Sequence, residues 1–184
     1  MKRIVIFFTI FFFFFNVNAQ KYMTKNGYIG FYSHTPVQDI KADNNQVASV
    51  LEISTGDIVF QVLIKSFHFE KALLEEHFNE NYMESEKFPK STFKGKIINL
   101  SLVDFTKNGK YDVDVEGDLN IHNVTKKVNV KGSIEIISGG INAFSKFNIV
   151  PEDYNINIPG IVRDNIAKNL EVTVTMKYSP VESK

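Results

Sequence analysis

The chain has 184 residues, with 21 Lys and Arg balanced by 21 Asp and Glu, 17 Phe, 7 Tyr and no cysteine. That balance leaves no basic excess to hold nucleic acid or anionic headgroups. The missing thiols exclude disulfide staples, cysteine nucleophiles, thiolate metal sites and lipidation at a cysteine.

Residues 4–15 read IVIFFTIFFFFF behind Lys2 and Arg3, and the run ends at Val17-Asn18-Ala19 before Gln20. A positive start, an apolar stretch and a small-residue cleavage site make residues 1–19 a secretory signal peptide. A membrane-spanning helix needs about 20 apolar residues, so this one is too short to anchor the chain. The expected mature protein, residues 20–184, is therefore periplasmic or secreted, without a stable membrane anchor. Cleavage removes Lys2, Arg3 and seven Phe, leaving 165 residues with 19 basic and 21 acidic side chains. That length suits one domain with one core.

Period-two alternation then dominates. Weaker examples occupy Tyr28–Thr35, Ile40–Asn44, Gln46–Ser54, Asp57–Lys65, Ser91–Phe105 and Ile141–Val150. From Tyr111 to His122, apolar residues and Gly117 alternate with Asp112, Asp114, Glu116, Asp118, Asn120 and His122. Val128, Val130, Gly132, Ile134 and Ile136 form another strand, and Leu170 to Tyr178 a further one. Such alternation marks antiparallel strands with one buried face. Turn signals separate them at Asn44-Asn45, Thr55-Gly56-Asp57, Asn108-Gly109 and Ser138-Gly139-Gly140. Glu70–Asn81 reads as a short helix with Leu74 and Phe78 at i, i+4, and Arg163–Asn169 as one or two helical turns. About eight or nine strands in a meander, with no pairing edge left over, favour an up-and-down barrel over a two-sheet sandwich.

Little here points to catalysis. His34, His68, His77 and His122 lack the spacing of a metal clamp, and HExxH is absent. His77 is expected to bond backbone near Phe88-Pro89, and His122 to fix its own turn. His68-Phe69-Glu70 matches the start of a deaminase signature whose cysteines do not exist here. G-x-S-x-G and phosphate-binding glycine loops are also missing. Carboxylates at i, i+2 from Asp112 to Asp118 lie about 7 Å apart and do not converge on calcium. They read as a solvated face, with Lys127, Lys131 and Lys177 as cross-strand partners. The expectation is no enzyme, no metal and no cofactor.

Three ordered stretches go beyond pattern. Residues 67–95 read FHFEKALLEEHFNENYMESEKFPKSTFKG, residues 117–126 GDLNIHNVTK, and residues 147–167 FNIVPEDYNINIPGIVRDNIA. Together the chain resembles the YceI-like family of polyisoprenoid-binding proteins across nearly all of its mature length. It departs from that pattern at Asn123, where many members carry Gly, and in a short polar segment before Tyr28. The resemblance implies an all-β, extended lipocalin-like antiparallel barrel of about eight strands, holding an isoprenoid or other long-chain lipid.

The inward set is Phe31, Phe60, Val62, Ile64, Phe67 and Phe93, then Val113, Val115, Leu119, Val130 and Ile134, then Phe147, Val172, Val174 and Met176. These side chains either pack on one another or line a lipid bore, and the same residues serve both readings. The resemblance favours the bore, and so an exported carrier or sequestering protein. The alternative is a filled barrel acting in stress response or protein interaction. Ser33 and His34 on the first strand are the candidates for headgroup contact.

Overall fold

The computed structural model describes residues 20–181, so the expected signal peptide lies outside the described residues. Eight strands close into one antiparallel barrel: β1 (Lys21–His34), β2 (Asp39–Glu52), β3 (Asp57–Leu63), β5 (Lys90–Ile97), β6 (Gly109–Ile121), β7 (Val124–Ile137), β8 (Gly140–Ile149) and β9 (Leu170–Pro180). Each pairs with the next in that order, and β9 returns to β1, with Phe31 opposite Val172. The two-residue β4 (His68–Phe69) adds to the edge of β2. Closure pairs both edges of every barrel strand, the arrangement that the alternation anticipated.

Several boundaries differ from the sequence reading, each for a local reason. β1 begins at Lys21, not Tyr28. Register shifts around Gly27 let exposed Lys25 and Asn26 bulge outward while Tyr22 and Met23 pair with Leu51 and Val50. Asn44-Asn45 is no turn, and the two segments beside it form the single strand β2. Asn44 is fully buried, donating from Nδ2 to the Leu63 carbonyl at 3.0 Å and accepting the Gln46 N–H at 2.9 Å. The side chain replaces backbone hydrogen bonds where the strand is irregular. β5 stops at Ile97, and residues 100–102 make a single 3-10 turn. The expected helix is α1 (Ala72–His77), continued by one wider π turn over Phe78–Tyr82. The later turns occupy Gly160–Asn165 rather than 163–169.

Two glycines let neighbouring strands of the wall approach closely. Gly95 and Gly117 sit opposite each other on the inward face of β5 and β6. A Cβ on Gly117 would lie 2.5 Å from both Gly95 Cα and the Lys94 carbonyl oxygen, and 2.7 Å from the Phe93 ring. Here two backbones meet without side chains between them, and the ring covers the gap. Outside, the acidic face of β6 meets lysines from both neighbours: Lys94 and Lys96 on β5, Lys127 and Lys131 on β7. Lys177 is not among them, because β9 places it opposite Asn142.

Candidate functional site

The two ends of the barrel interior differ. At one end Val47, Leu51, Ile97, Ile141, Met176 and Tyr178 are buried almost completely and form a solid floor. Tyr178 is anchored there by Ser49 at 2.7 Å. Since the Ser49 proton goes to the Val59 carbonyl at 2.9 Å, the phenol is the donor. Burial pushes the Tyr178 pKa up.

Above the floor the interior is hollow, enclosing a cavity of about 440 Å³. Pockets for small ligands run from about 300 to 1,000 Å³. Every residue of the expected inward set lines it. Phe31, Phe60, Val62, Ile64, Phe67 and Phe93 come from β1, β3 and the segments up to β5. Val113, Val115 and Leu119 come from β6, Val130 and Ile134 from β7, Phe147 from β8, and Val172, Val174 and Met176 from β9. Phe60, Phe93, Val115, Leu119, Val130, Phe147 and Val174 point inward yet are only half-buried. Inward residues of a filled core would be fully buried; these face space.

A cap closes part of the upper end. Leu73, Leu74, His77 and Phe78 reach the cavity from α1 and its continuation, and Ile156, Ile158, Val162 and Ile166 from the segment before β9. Phe78 lies 5.1–5.6 Å, centroid to centroid, from Phe31, Phe67 and Phe69, a cluster that pins the helix to the wall. The other half of the cap is held by Arg163 on Glu152 at 3.1 Å and by the Ala167 N–H on Ser33 Oγ at 2.8 Å.

The two headgroup candidates separate. Ser33 lines the cavity. His34 does not: it is exposed on the outer face, with Nδ1 2.6 Å from Asp39 Oδ1. That contact holds the Asp39 carboxyl below the usual carboxylate range. Strand alternation separates the neighbours, since consecutive side chains point to opposite faces. His77, expected at the Phe88-Pro89 turn, instead faces the cavity, and it is His122 whose ring meets Phe88 edge-on at 4.6 Å. The cap residues were the ones missed. Their signals were present, in the Leu74/Phe78 spacing and in the alternation of Ile156 and Ile158 with Asn155 and Asn157, but nothing local says which surface those faces cover.

Among the described residues, no group of three or more acidic or His side chains is placed to hold a metal ion. Likewise no described helix is long and apolar enough to cross a membrane.

Geometry defines the class: a closed eight-stranded antiparallel barrel with a solid floor, an apolar cavity and a two-part cap. The chain belongs to the YceI-like family, whose domain model matches residues 21–178. Solved structures share the fold at low identity. A polyisoprenoid-binding domain from Saccharophagus degradans, implicated in plant cell wall breakdown, superposes with a TM-score of 0.72 at 12% identity, covering 89% of this chain and 99% of that one. BcnA of Burkholderia cenocepacia gives 0.68 at 11% identity, covering 83% of this chain and 96% of that one. The Campylobacter jejuni YceI protein gives 0.62 at 14%, covering 82% and 90%. No protein of curated function matches the chain.

Proposed function

We propose that the mature chain is an exported carrier or sequestering protein that holds a long-chain lipid, isoprenoids among them, in the hollow half of the barrel. The carrying observation is the cavity itself, about 440 Å³ and walled by inward apolar side chains that remain half-exposed. Its lining on β6 runs from Val113 to Ile121. At about 3.3 Å per residue and a tilt near 40°, that gives roughly 20 Å along the barrel axis. A space of this shape suits an extended tail better than a compact ligand.

Binding follows from desolvation. Each 100 Å² of apolar tail removed from water contributes about 2.5 kcal/mol, partly offset by ordering the tail. The Saccharophagus degradans relative, described as polyisoprenoid-binding, lends support. Export rests on the apolar run at 4–15 and the Val17-Asn18-Ala19 site. Intact-mass measurement of exported protein is expected to show a chain starting at Gln20; a mature form retaining Phe11–Phe15 contradicts export with cleavage.

The direct test is mass spectrometry of organic extracts from natively purified protein. A carrier yields a lipid at near-stoichiometric amount. Empty extracts, from protein that also takes up no added lipid, would replace this reading with an interaction barrel.

A further inference from the structure

We infer that the capped end of the barrel docks onto the face of a zwitterionic phospholipid bilayer. Val37, Leu73 and Ile161 seat among the headgroups, and lipid passes between membrane and cavity without crossing water. This rests on the lipid-binding reading above and adds to it the surface from which the cavity is loaded.

Exposed apolar side chains gather where the cavity opens. Among the described residues, five large apolar side chains are more than half exposed. Two of them, Ile98 and Leu102, lie on the connection between β5 and β6, at the floor end. The other three share the capped end: Val37 is 66% exposed, Leu73 59% and Ile161 95%. They come from the turn between β1 and β2, from α1, and from the 3-10 turn Gly160–Asn165. The Ala167 N–H on Ser33 Oγ, at 2.8 Å, ties the last of these segments beside the first. Phe78 packed on Phe31 holds α1 to the same wall. Leu73 also lines the cavity, as do Gln38 and Val162, the chain neighbours of Val37 and Ile161. The apolar tips therefore rim the opening and continue into its lining. A long-chain lipid is opposed from crossing water because its whole apolar surface must be hydrated on the way. A rim that enters the interface removes that step.

The character of the rim selects the partner. Three separate tips cover a few hundred Å² at most, against about 800 Å² from each side of a stable protein interface. A second copy of the chain would also meet like charge. Residues 35–41, 68–82 and 150–168, which build the capped end, carry eight Asp and Glu against four Lys and Arg. A bilayer needs no matching shape, and shallow insertion of a few apolar side chains gives weak, reversible attachment. That suits a carrier, which must leave again. The same acidic excess disfavours anionic lipid.

Flotation with vesicles tests this on the mature protein. At low ionic strength the protein is expected to float with phosphatidylcholine vesicles. Mixing in phosphatidylglycerol should lower the bound fraction severalfold, and added salt should restore it. Tighter binding with phosphatidylglycerol would overturn the zwitterionic preference. Val37→Ser combined with Ile161→Ser replaces two tips that lie outside the cavity lining. This double variant is expected to bind vesicles about tenfold more weakly, with melting temperature and uptake of a fluorescent isoprenoid from solution unchanged. Leu102→Ser, at the floor end, should float like the wild type. Uptake of the isoprenoid without flotation would overturn docking and leave lipid binding intact, whereas flotation without uptake would keep docking and overturn lipid binding. Equal flotation of wild type and double variant would also overturn docking. So would a wild-type dimer that the double variant dissolves, since the tips would then belong to a contact between copies.

Discussion

At the covered end of the barrel, His122 joins three segments far apart in the chain. Its Nε2 lies 2.9 Å from Glu84 Oε2, its Nδ1 3.3 Å from the Tyr154 carbonyl oxygen, and its ring packs on Phe88. The sequence shows the tight turn that it begins but not these partners, because hydrogen bonds across 32 and 38 residues leave no local mark. His122→Ala is expected to lower stability by about 1–3 kcal/mol in a denaturant melt, with faster amide exchange at 151–156. The next residue behaves as its identity suggests. Asn123 has φ +61°, a conformation Asn and Gly accept and other residues resist. Asn123→Gly should leave the melt unchanged or raise it, whereas Asn123→Val should cost about 1–2 kcal/mol.

Two tyrosines set an alkaline limit. Partial burial and its hydrogen bond to Asp43 push the Tyr28 pKa from 10.0 to about 12, and burial raises Tyr178 in the same direction. Below pH 10 folded and unfolded chains both keep these protons, so stability carries the full contribution. Above it the unfolded chain releases protons that the folded chain retains, and stability should fall as pH rises from 10 to 12. Urea melts across that interval check the sign, and flat stability would contradict it.

At the scale of elements, legibility followed the chemistry of the face. β6 and β9 were plain because their outward positions are nearly all charged or hydroxylated and their inward ones apolar. Asn44 looks like a turn residue that divides β2 in two, yet its amide is buried and holds the strand across an irregular step. Removing that amide with Asn44→Ala leaves the Leu63 carbonyl and the Gln46 N–H without it, at an expected cost of about 1–3 kcal/mol. The Gly95–Gly117 contact was equally hidden, since alternation marks those positions as inward without saying that two backbones touch there. Gly117→Ala would set a methyl group 2.5 Å from backbone atoms that cannot step aside. It should be more disruptive than Gly160→Ala, where a Cβ meets nothing within 4 Å; equal melting temperatures for the two variants would contradict the close approach.

For the whole molecule, the inward face was readable and the space behind it was not. Period two tells which side chains point into a closed sheet, but filling depends on ring size, register and cap, which are long-range properties. The solid floor around Tyr178 and Met176 and the cavity between Val115 and Val174 use the same residue types. Outside, the ladder on β6 faces lysines on two strands, so Asp114→Ser with Glu116→Ser should shift stability by less than about 1 kcal/mol and leave lipid binding intact. Loss of binding would place the site on the outer face.

The most direct measurement fills the cavity. Val115 and Val174 both point into it and are only half-buried. Val115→Trp or Val174→Trp should therefore occupy the space of the tail while the barrel still folds. Titration with a fluorescent isoprenoid is expected to show at least tenfold weaker binding, about 1.4 kcal/mol, with a modest change in melting temperature. A stability loss of about 1–3 kcal/mol from overpacking, in a protein whose wild type takes up no isoprenoid, would contradict the hollow-barrel account.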